Sequence, residues 1–279
     1  MFRLLNIEFH KLKHNTASKV LTLIYFLLLT STALVAMINF EFAGESFHLA
    51  DMGIFNFPYI WHLNTWLSAT IKFFLLMVIV SMMANEYSNK TLKQNLIDGL
   101  SKKEFILSKF YTVVVFALIS TVFVFVVSLI LGYLYSDFTE FSIVFSDLDY
   151  LLALFIKLVG FFSFGLFMGI LVKRSAFAVG GIIVWFIIES FTKGYLFWQY
   201  RGTDSNIPEN IMQFFPLESM SNLIKEPFTR FSAVKSVANL VGEDLSKDFS
   251  VHFTDIIIVS VWTFIFIYLS YRLLKRRDL

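Results

Sequence analysis

The sequence predicts an all-α fold: a polytopic membrane helix bundle with six transmembrane helices, cytoplasmic N and C termini, and short outer helices before the sixth span. First, 57% of the 279 residues are hydrophobic and 16% are charged, whereas about a quarter of a soluble domain is charged. Second, the apolar residues form blocks of about 20, the helix length that crosses a bilayer core of ~30 Å. Third, Lys and Arg are concentrated in alternate loops. Residues 1–279 are therefore treated as one transmembrane domain.

Six apolar blocks are long enough to cross the bilayer. Each is predicted to be a helix, because hydrocarbon does not tolerate unpaired backbone groups. The first block is longer than the apolar core of a cleaved signal peptide, so it is expected to be retained. The sixth is short and follows a segment whose path the pattern does not trace. The predicted spans are Val20–Phe40, Ile60–Ala84, Phe110–Tyr135, Leu151–Val172, Ala176–Phe197 and Ile256–Leu274.

The distribution of basic residues orients the spans. Fifteen of the 23 Lys and Arg residues fall on one side of the predicted bilayer, and this side is expected to be cytoplasmic. The loops Glu41–Tyr59 and Ser136–Tyr150 on the other side contain no Lys or Arg. Aromatic residues that favour the membrane interface agree with this assignment. We therefore expect a multi-pass protein of the cell membrane, the inner membrane of a bacterium.

Two segments outside the bilayer are predicted to contain helices. Residues 1–19 place Leu5, Phe9 and Leu12 at helical spacing, which predicts an amphipathic interfacial helix; a simple charged flank that sets topology is the alternative. Residues 199–255 are too charged to span and form the predicted extracytoplasmic segment. Short helices at Ile207–Phe215, Leu217–Lys225 and Phe228–Val241 are expected there. They either dip into the outer leaflet or pack as a surface loop.

The loop between the second and third spans, residues 85–109, is the most informative segment. Thr91–Ile97 is predicted to be a short helix, with Leu92 and Leu96 in one apolar stripe. Gly99 is placed to end this helix. A short helix held between two spans is suited to docking on another protein, although an ordinary basic loop is an equal alternative.

This loop resembles the corresponding segment of ABC exporter permeases of the six-helix, type-2 class (the ABC-2 type transporter permease family). In those proteins a Glu is followed by Gly-Thr-Leu, a short coupling helix, a Pro or Ser turn, a basic residue, and a Lys that opens the third span. The sequence departs from that pattern at Lys90, which replaces the usual Gly, and at Leu100, where Pro is common. The similarity extends to the whole topology. The matching residues are Glu86, Thr91, Leu92, Ser101, Lys102 and Lys109.

The resemblance implies a function and a set of partners. Two copies of the permease, or two related permeases, would form a path through the membrane lipids. A separate ABC ATPase subunit would bind ATP and dock on the cytoplasmic loop, and the N-terminal helix would also contact it. The cargo is not implied, since a fold does not fix a substrate. The residues implied in ATPase coupling are Glu86, Thr91, Leu92, Leu96, Lys102 and Lys109.

Motifs for covalent chemistry are missing from the sequence. No phosphate-binding loop of the form Gly-x-x-x-x-Gly-Lys-Ser/Thr occurs, so an exporter would need ATP hydrolysis by a partner. No hydrolase, zinc-protease or dinucleotide motif occurs either, and there are no cysteines. His10 and His14 are four residues apart, but no carboxylate or Cys accompanies them to complete a metal site. We predict no enzyme activity, no cofactor and no nucleic-acid partner for this chain.

Ionisable residues within predicted spans are the other candidate site. Such groups usually face a partner or a wet cavity. Lys157 and Lys193 are close enough to the outer surface for their side chains to extend toward it. Glu189 and Lys193 are four residues apart and are expected to pair. Lys72 and Glu189 are deeper and are the intramembrane charge candidates, with pairing inside the bundle favoured over substrate contact.

One small-residue pair completes the set of candidates. Gly180 and Gly181 permit close helix approach, within the subunit or at a dimer face.

The leading hypothesis is a permease subunit that couples ATP hydrolysis by a separate subunit to export. The alternative is a membrane scaffold or sensor that recruits a cytoplasmic partner without transport.

Overall fold

The computed structural model describes residues 2–35, 39–42, 45–48, 53–201, 206–230 and 248–277, and helices dominate these ranges. The short helices are α1 (Phe2–His14), α5 (Thr91–Ile97), α7 (Phe141–Val144), α10 (Ile207–Met212) and α11 (Pro216–Asn222), with a 3₁₀ turn at Phe228–Arg230. The longer helices are α2 (Thr16–Val35), α3 (Tyr59–Ile71), α4 (Phe73–Ser88), α6 (Lys102–Tyr135), α8 (Asp149–Val172), α9 (Ser175–Gln199) and α12 (Phe253–Arg276). One antiparallel hairpin pairs β1 (Asn39–Phe42) with β2 (Glu45–His48).

Within the described ranges, four stretches are long and apolar enough to cross a membrane: Lys102–Tyr135, Phe141–Val172, Ser175–Gln199 and Phe253–Arg276. They coincide with the third to sixth predicted spans. A fifth crossing is formed if α3 and α4, which bend by 41° relative to each other, act as one span. These apolar helices indicate a membrane protein, with four or five helices that could cross the bilayer. The count of six and the orientation of the termini stay predictions.

The first predicted span, Val20–Phe40, differs most from the structure. Asn15 separates α1 from α2 and caps the latter, its Oδ1 accepting from the Ser18 N–H at 3.1 Å. The helix then ends at Val35, and Asn39 and Phe40 belong to β1. Alternating polar and aromatic residues in β1 favour a strand over a helix. The apolar stretch Thr16–Thr32 of α2 is shorter than the other candidate crossings.

Helix α8 lies at the centre of the bundle. It contacts α3, α4, α6, α9 and α12, and most of its residues are buried. Gly165 permits the close approach of α4, because a Cβ at this position would lie 2.3 Å from Leu76 Cδ1. Gly181 of α9 faces α8, because a Cβ at this position would lie 2.4 Å from Met168 Cε. A Cβ at Gly180 would meet nothing within 4 Å. Gly181 therefore serves packing within the subunit.

The break between α3 and α4 occurs at Lys72, without a proline or glycine nearby. The Lys72 Nζ donates to the carbonyl oxygen of Ala69 at 2.6 Å. Helices kink where a side chain enters the backbone hydrogen-bond ladder. A charged residue predicted inside a span thus coincides with a bend in that span.

The two ends of the bundle are called the α1 end and the α11 end. At the α1 end, Lys11 contacts Glu86 and Arg277 contacts Tyr87, so the first and last described helices meet the same turn of α4. At the α11 end, α10 and α11 replace the helices expected at Ile207–Phe215 and Leu217–Lys225. The expected helix Phe228–Val241 lies outside the described residues beyond Arg230.

Candidate functional site

A cluster of buried charges lies at the α1 end, where α1, α4 and α6 meet. The side chains of Glu8, Glu86 and Lys109 are at most 4% exposed. Lys109 Nζ lies 2.5 Å from Glu8 Oε2 and 2.6 Å from Glu86 Oε1. Lys11 Nζ approaches the same Glu86 oxygen at 2.8 Å. We call these four residues with Thr91 the buried charge cluster.

The charges in this cluster balance, because two ammonium groups face two carboxylates. Short contacts between fully desolvated charges are strong only when the remaining donors and acceptors are also satisfied. Glu86 meets this condition: Thr91 Oγ1 donates to its Oε2 at 2.5 Å, and Asn95 Nδ2 lies 3.5 Å from the same atom. The cluster therefore fixes α1, α6 and the start of α5 against the end of α4.

Sequence reasoning identified Glu86, Thr91 and Lys109 for this site but missed Glu8 and Lys11. Both lie on α1, 101 and 75 residues away in sequence from Lys109 and Glu86, their respective partners. One signal was present. Glu8 is the only acidic residue in the basic segment 1–19, and a lone acid in such a segment indicates a specific basic partner.

The turn into α5 explains a departure from the resembled family. Lys90 has φ +55°, a left-handed conformation that glycine adopts at little cost. The family pattern has Gly at this position. Lys90 is exposed, so its side chain keeps the charge in water while its backbone makes the turn that brings Thr91 to Glu86.

The apolar stripe of α5 faces the bundle. Leu92 is 2% exposed, and Leu96 packs against the same core cluster. These two residues therefore attach α5 to its own chain and are not available as a docking surface. The opposite face carries Lys93, Gln94 and Ile97, and Ile97 is 69% exposed. We call these three residues the α5 outer face.

Lys102 binds the end of α12 and not the buried charge cluster. Its Nζ donates to the carbonyl oxygens of Arg277 at 2.9 Å and Lys275 at 3.4 Å, which suits a cation at a helix C-terminus. Ser101 and Glu104 form a capping box at the start of α6. The Arg277 guanidinium in turn donates to the Ile170 and Leu171 carbonyls and to the Tyr87 hydroxyl. These contacts connect α4, α6, α8 and α12.

The second candidate site is a cavity of about 690 Å³ on the side of the bundle toward the α11 end, lined by α4, α8, α9 and α11. Lys72 and Lys157 line it among apolar side chains. Lys72 Nζ lies 4.7 Å from the centre of the Phe161 ring, a favourable cation–π distance. Lys157, 5% exposed, has its Nζ 3.4 Å from the Ile224 carbonyl oxygen. We call this space the lysine cavity.

Glu189, also in the wall of the lysine cavity, does not pair with Lys193 as expected. Its carboxylate accepts from Trp185 Nε1 at 2.6 Å and from the backbone N–H groups of Leu217 and Glu218 at 3.1 and 3.0 Å. It thereby satisfies donors in the first turn of α11. Lys193 instead pairs with Glu218, at 2.6 Å. Both residues hold α11 against α9.

A third polar group, which sequence reasoning did not assemble, attaches the segment after α11 to the bundle. His62 is fully buried and stacks on Tyr150 with ring centres 4.3 Å apart. Its Nε2 lies 2.9 Å from the Lys225 carbonyl oxygen, and its Nδ1 lies 3.3 Å from an Arg230 nitrogen. Nε2 therefore donates and Nδ1 accepts. The arrangement is structural, since each ring nitrogen is already engaged.

Side chains suited to metal binding do not converge in the part of the chain that the structure describes, where no group of three or more His, Asp and Glu residues is found. The rings of His10 and His14 lie 4.3 Å apart, but His14 Nδ1 bonds the His10 carbonyl.

Comparison with known sequences gives one family match. A family model described as "Protein of unknown function (DUF2705)" matches residues 20–279, all but the first 19 residues of the chain. The sequence matches no curated protein.

Proposed function

The chain belongs to the DUF2705 family, and we propose that it is the membrane-spanning permease subunit of an ATP-driven ABC exporter. The observation that carries the proposal is the buried charge cluster. It involves Glu86, Thr91 and Lys109, three positions that match the permease pattern, and it attaches a short surface helix to two crossing helices. A surface helix braced in this way can transmit a force from a partner into the bundle.

The proposed topology has six crossings with both termini in the cytoplasm of a bacterial cell membrane. α2 is the first crossing, α3 with α4 the second, and α6, α8, α9 and α12 the others. Support comes from the α1 end, where both described chain ends meet and where the basic loops lie. Basic residues favour the cytoplasmic side. The α11 end would then face outward.

The α5 outer face is the proposed docking surface for the ATPase subunit. Ile97 supplies an exposed apolar contact, and Lys93 flanks it with a positive charge. Exposed apolar residues beside polar ones are typical of interaction sites. Movement of the ATPase would be transmitted through α5 and Glu86 to α4. A second permease copy or a related permease would complete the transport path, and the ATPase would supply the ATP site that this sequence lacks.

The experiment is to express the tagged chain together with its neighbouring reading frames, to test whether an ABC ATPase co-purifies, and then to measure ATPase activity in lipid. Ile97→Asp should reduce both co-purification and stimulated ATP hydrolysis at least tenfold, because it places a charge in the proposed interface. Lys103→Glu is the matched control: Lys103 is exposed at the same end but is not part of α5. Leu92→Ala should also reduce coupling, but by loosening α5 from its own bundle.

The outcomes separate the proposal from the scaffold alternative. Unchanged ATPase binding in Ile97→Asp would remove α5 as the docking helix. A chain that binds no ATPase, but binds a non-hydrolytic cytoplasmic protein through the same face, would support a scaffold or sensor and overturn the exporter proposal.

A further inference from the structure

The lysine cavity is lined by three lysines and two glutamates, an excess of one positive charge. Lys193 is paired with Glu218, and Glu189 is engaged by Trp185 and by the first turn of α11. Lys72 and Lys157 contact only backbone carbonyls and a ring; within the described ranges neither forms an ion pair. Both side chains line the same cavity. An anion bound between two buried ammonium groups stabilises the charged form of each.

Beside Glu189, Ser190, Lys193, Glu218 and Ser221, the rest of the lining is apolar. Phe73, Phe161, Phe186 and Met220 all border the cavity. A small hydrated anion would leave this surface uncovered, whereas a ligand with an acyl chain would cover it. The cavity is also large enough for part of an amphiphile, since ligand sites are typically about 300–1,000 Å³.

The cavity opens sideways along α9. Ile183 and Phe186 line it and are 46% and 59% exposed on the outside of the bundle. We take this outer surface of α9 to face the lipid chains of the membrane. A lipid can therefore enter between α4 and α9 without leaving the membrane.

We propose that the lysine cavity is a binding site for an anionic membrane lipid. The lipid phosphate lies between Lys72 and Lys157, and an acyl chain extends along Phe186 toward the outside of α9. Phosphate accepts hydrogen bonds from ammonium groups readily, and each lysine then gains an anionic partner that the described residues do not supply. The site requires no ATPase and is independent of the proposed transport function.

The experiment is a lipid titration of the purified full chain in neutral detergent, read by native mass spectrometry. Dioleoyl phosphatidylglycerol and dioleoyl phosphatidylcholine are the probes, because they share acyl chains and differ in net charge. Wild type should retain phosphatidylglycerol preferentially. Lys72→Gln and Lys157→Gln should each weaken retention roughly fivefold, the factor that corresponds to about 1 kcal/mol per lysine. Lys103→Gln, outside the cavity, should have no effect.

Two further variants distinguish the loss of a lysine charge from misfolding of the chain. Lys72→Arg and Lys157→Arg keep the charge and should keep most of the lipid preference. A brominated phosphatidylglycerol should quench Trp185, which bonds the cavity residue Glu189, and Trp185→Phe should lose that part of the quenching.

Three results would overturn the proposal. Equal retention of the two lipids by wild type would show no anionic preference. Full retention by both Gln variants would place the lipid elsewhere. Displacement of the lipid by millimolar inorganic phosphate alone would identify a small-anion site in place of a lipid site.

Discussion

Buried charges border both ends of α4, but they are balanced at one end and unbalanced at the other. At the α1 end, Glu86 and Glu8 meet Lys109 and Lys11 at distances of 2.5 to 2.8 Å. At the other end, Lys72 lies in the wall of an open cavity and bonds the backbone carbonyl of Ala69 in α3. In the first arrangement each charged group has an oppositely charged partner. In the second, Lys72 forms no ion pair with a described residue.

The comparison teaches how to interpret ionisable residues in an apolar chain. Mutual pairing in a dry site indicates that the charges hold helices together. An ammonium group beside a cavity, without an anionic partner among the described residues, is the basis on which we propose a ligand site, because ionisable residues in apolar segments often mark functional sites. The same residue type, lysine, therefore has two roles that only the tertiary surroundings distinguish.

The largest expected effect is that of Lys109→Met. It leaves Glu8 and Glu86 buried with only the half-exposed Lys11 between them, and removal of one partner from a buried pair costs about 3–5 kcal/mol. Denaturant titration in fixed detergent micelles should show this loss in the free energy of unfolding. Adding Glu8→Gln should restore part of it, and Lys103→Met is the exposed control. A loss under about 1 kcal/mol, the size expected for an exposed ion pair, would contradict the claim that Lys109 forms buried ion pairs with Glu8 and Glu86.

Thr91→Val should have the next largest effect. It keeps the side-chain shape but removes the hydroxyl that donates to Glu86, and hydrogen bonds to charged groups contribute about 2 kcal/mol. The same titration should therefore show a lower free energy of unfolding, while Thr91→Ser should retain nearly wild-type stability. If Thr91→Val and Thr91→Ser had the same free energy of unfolding, the Thr91 hydroxyl would not stabilise the attachment of α5 to the buried charge cluster.

Lys157→Met should change stability in the opposite direction. Removal of Lys157 leaves no carboxylate unpaired, so the apolar replacement should raise the free energy of unfolding by about 1 kcal/mol, the low end of what apolar replacement of buried charges achieves. Thermal unfolding without added anionic lipid is the measurement. Destabilisation as large as that of Lys109→Met would mean that the two regions do not differ in kind.

The smallest expected effect concerns the turn before α5. Lys90→Gly relieves the left-handed strain but adds unfolded-state entropy, so a net stabilisation of about 0.5 kcal/mol is expected. Lys93→Gly, the same exchange at an exposed helical position, should instead destabilise by about 1 kcal/mol. If both variants shift thermal unfolding in the same direction, the φ of Lys90 does not govern the turn.

Much of the helical framework was predictable from the sequence. The predicted third to sixth spans lie within α6, α8, α9 and α12, because a crossing helix needs a long uninterrupted apolar block and the chain contains few alternatives. The short helix Thr91–Ile97 was predicted with its observed bounds. Its N-terminal attachment and its exit at Gly99, which has φ +95°, follow from local residue chemistry.

The tertiary pairings were less accessible. Hydropathy and spacing describe one segment at a time, whereas the Glu8–Lys109 pair depends on which faces of α1 and α6 meet. The same reason explains the incorrect Glu189–Lys193 pairing: the first turn of α11 donates to Glu189, and Lys193 pairs with Glu218 of α11. The bend at Lys72 arises from a side-chain bond to a carbonyl, which no composition window can detect.

Lys72 and Glu86 lie near opposite ends of α4. This one helix therefore connects the lysine cavity with the buried charge cluster. The helix has 16 residues, about 24 Å at 1.5 Å per residue. If the bend at Lys72 serves as its pivot, a tilt of about 5° displaces the Glu86 end by roughly 2 Å over that length. That displacement exceeds the tolerance of a salt bridge, so α4 cannot swing unless α1, α5 and α6 travel with it. A ligand in the lysine cavity that resists rotation of α4 about Lys72 would therefore also restrict movement of the buried charge cluster at the α1 end.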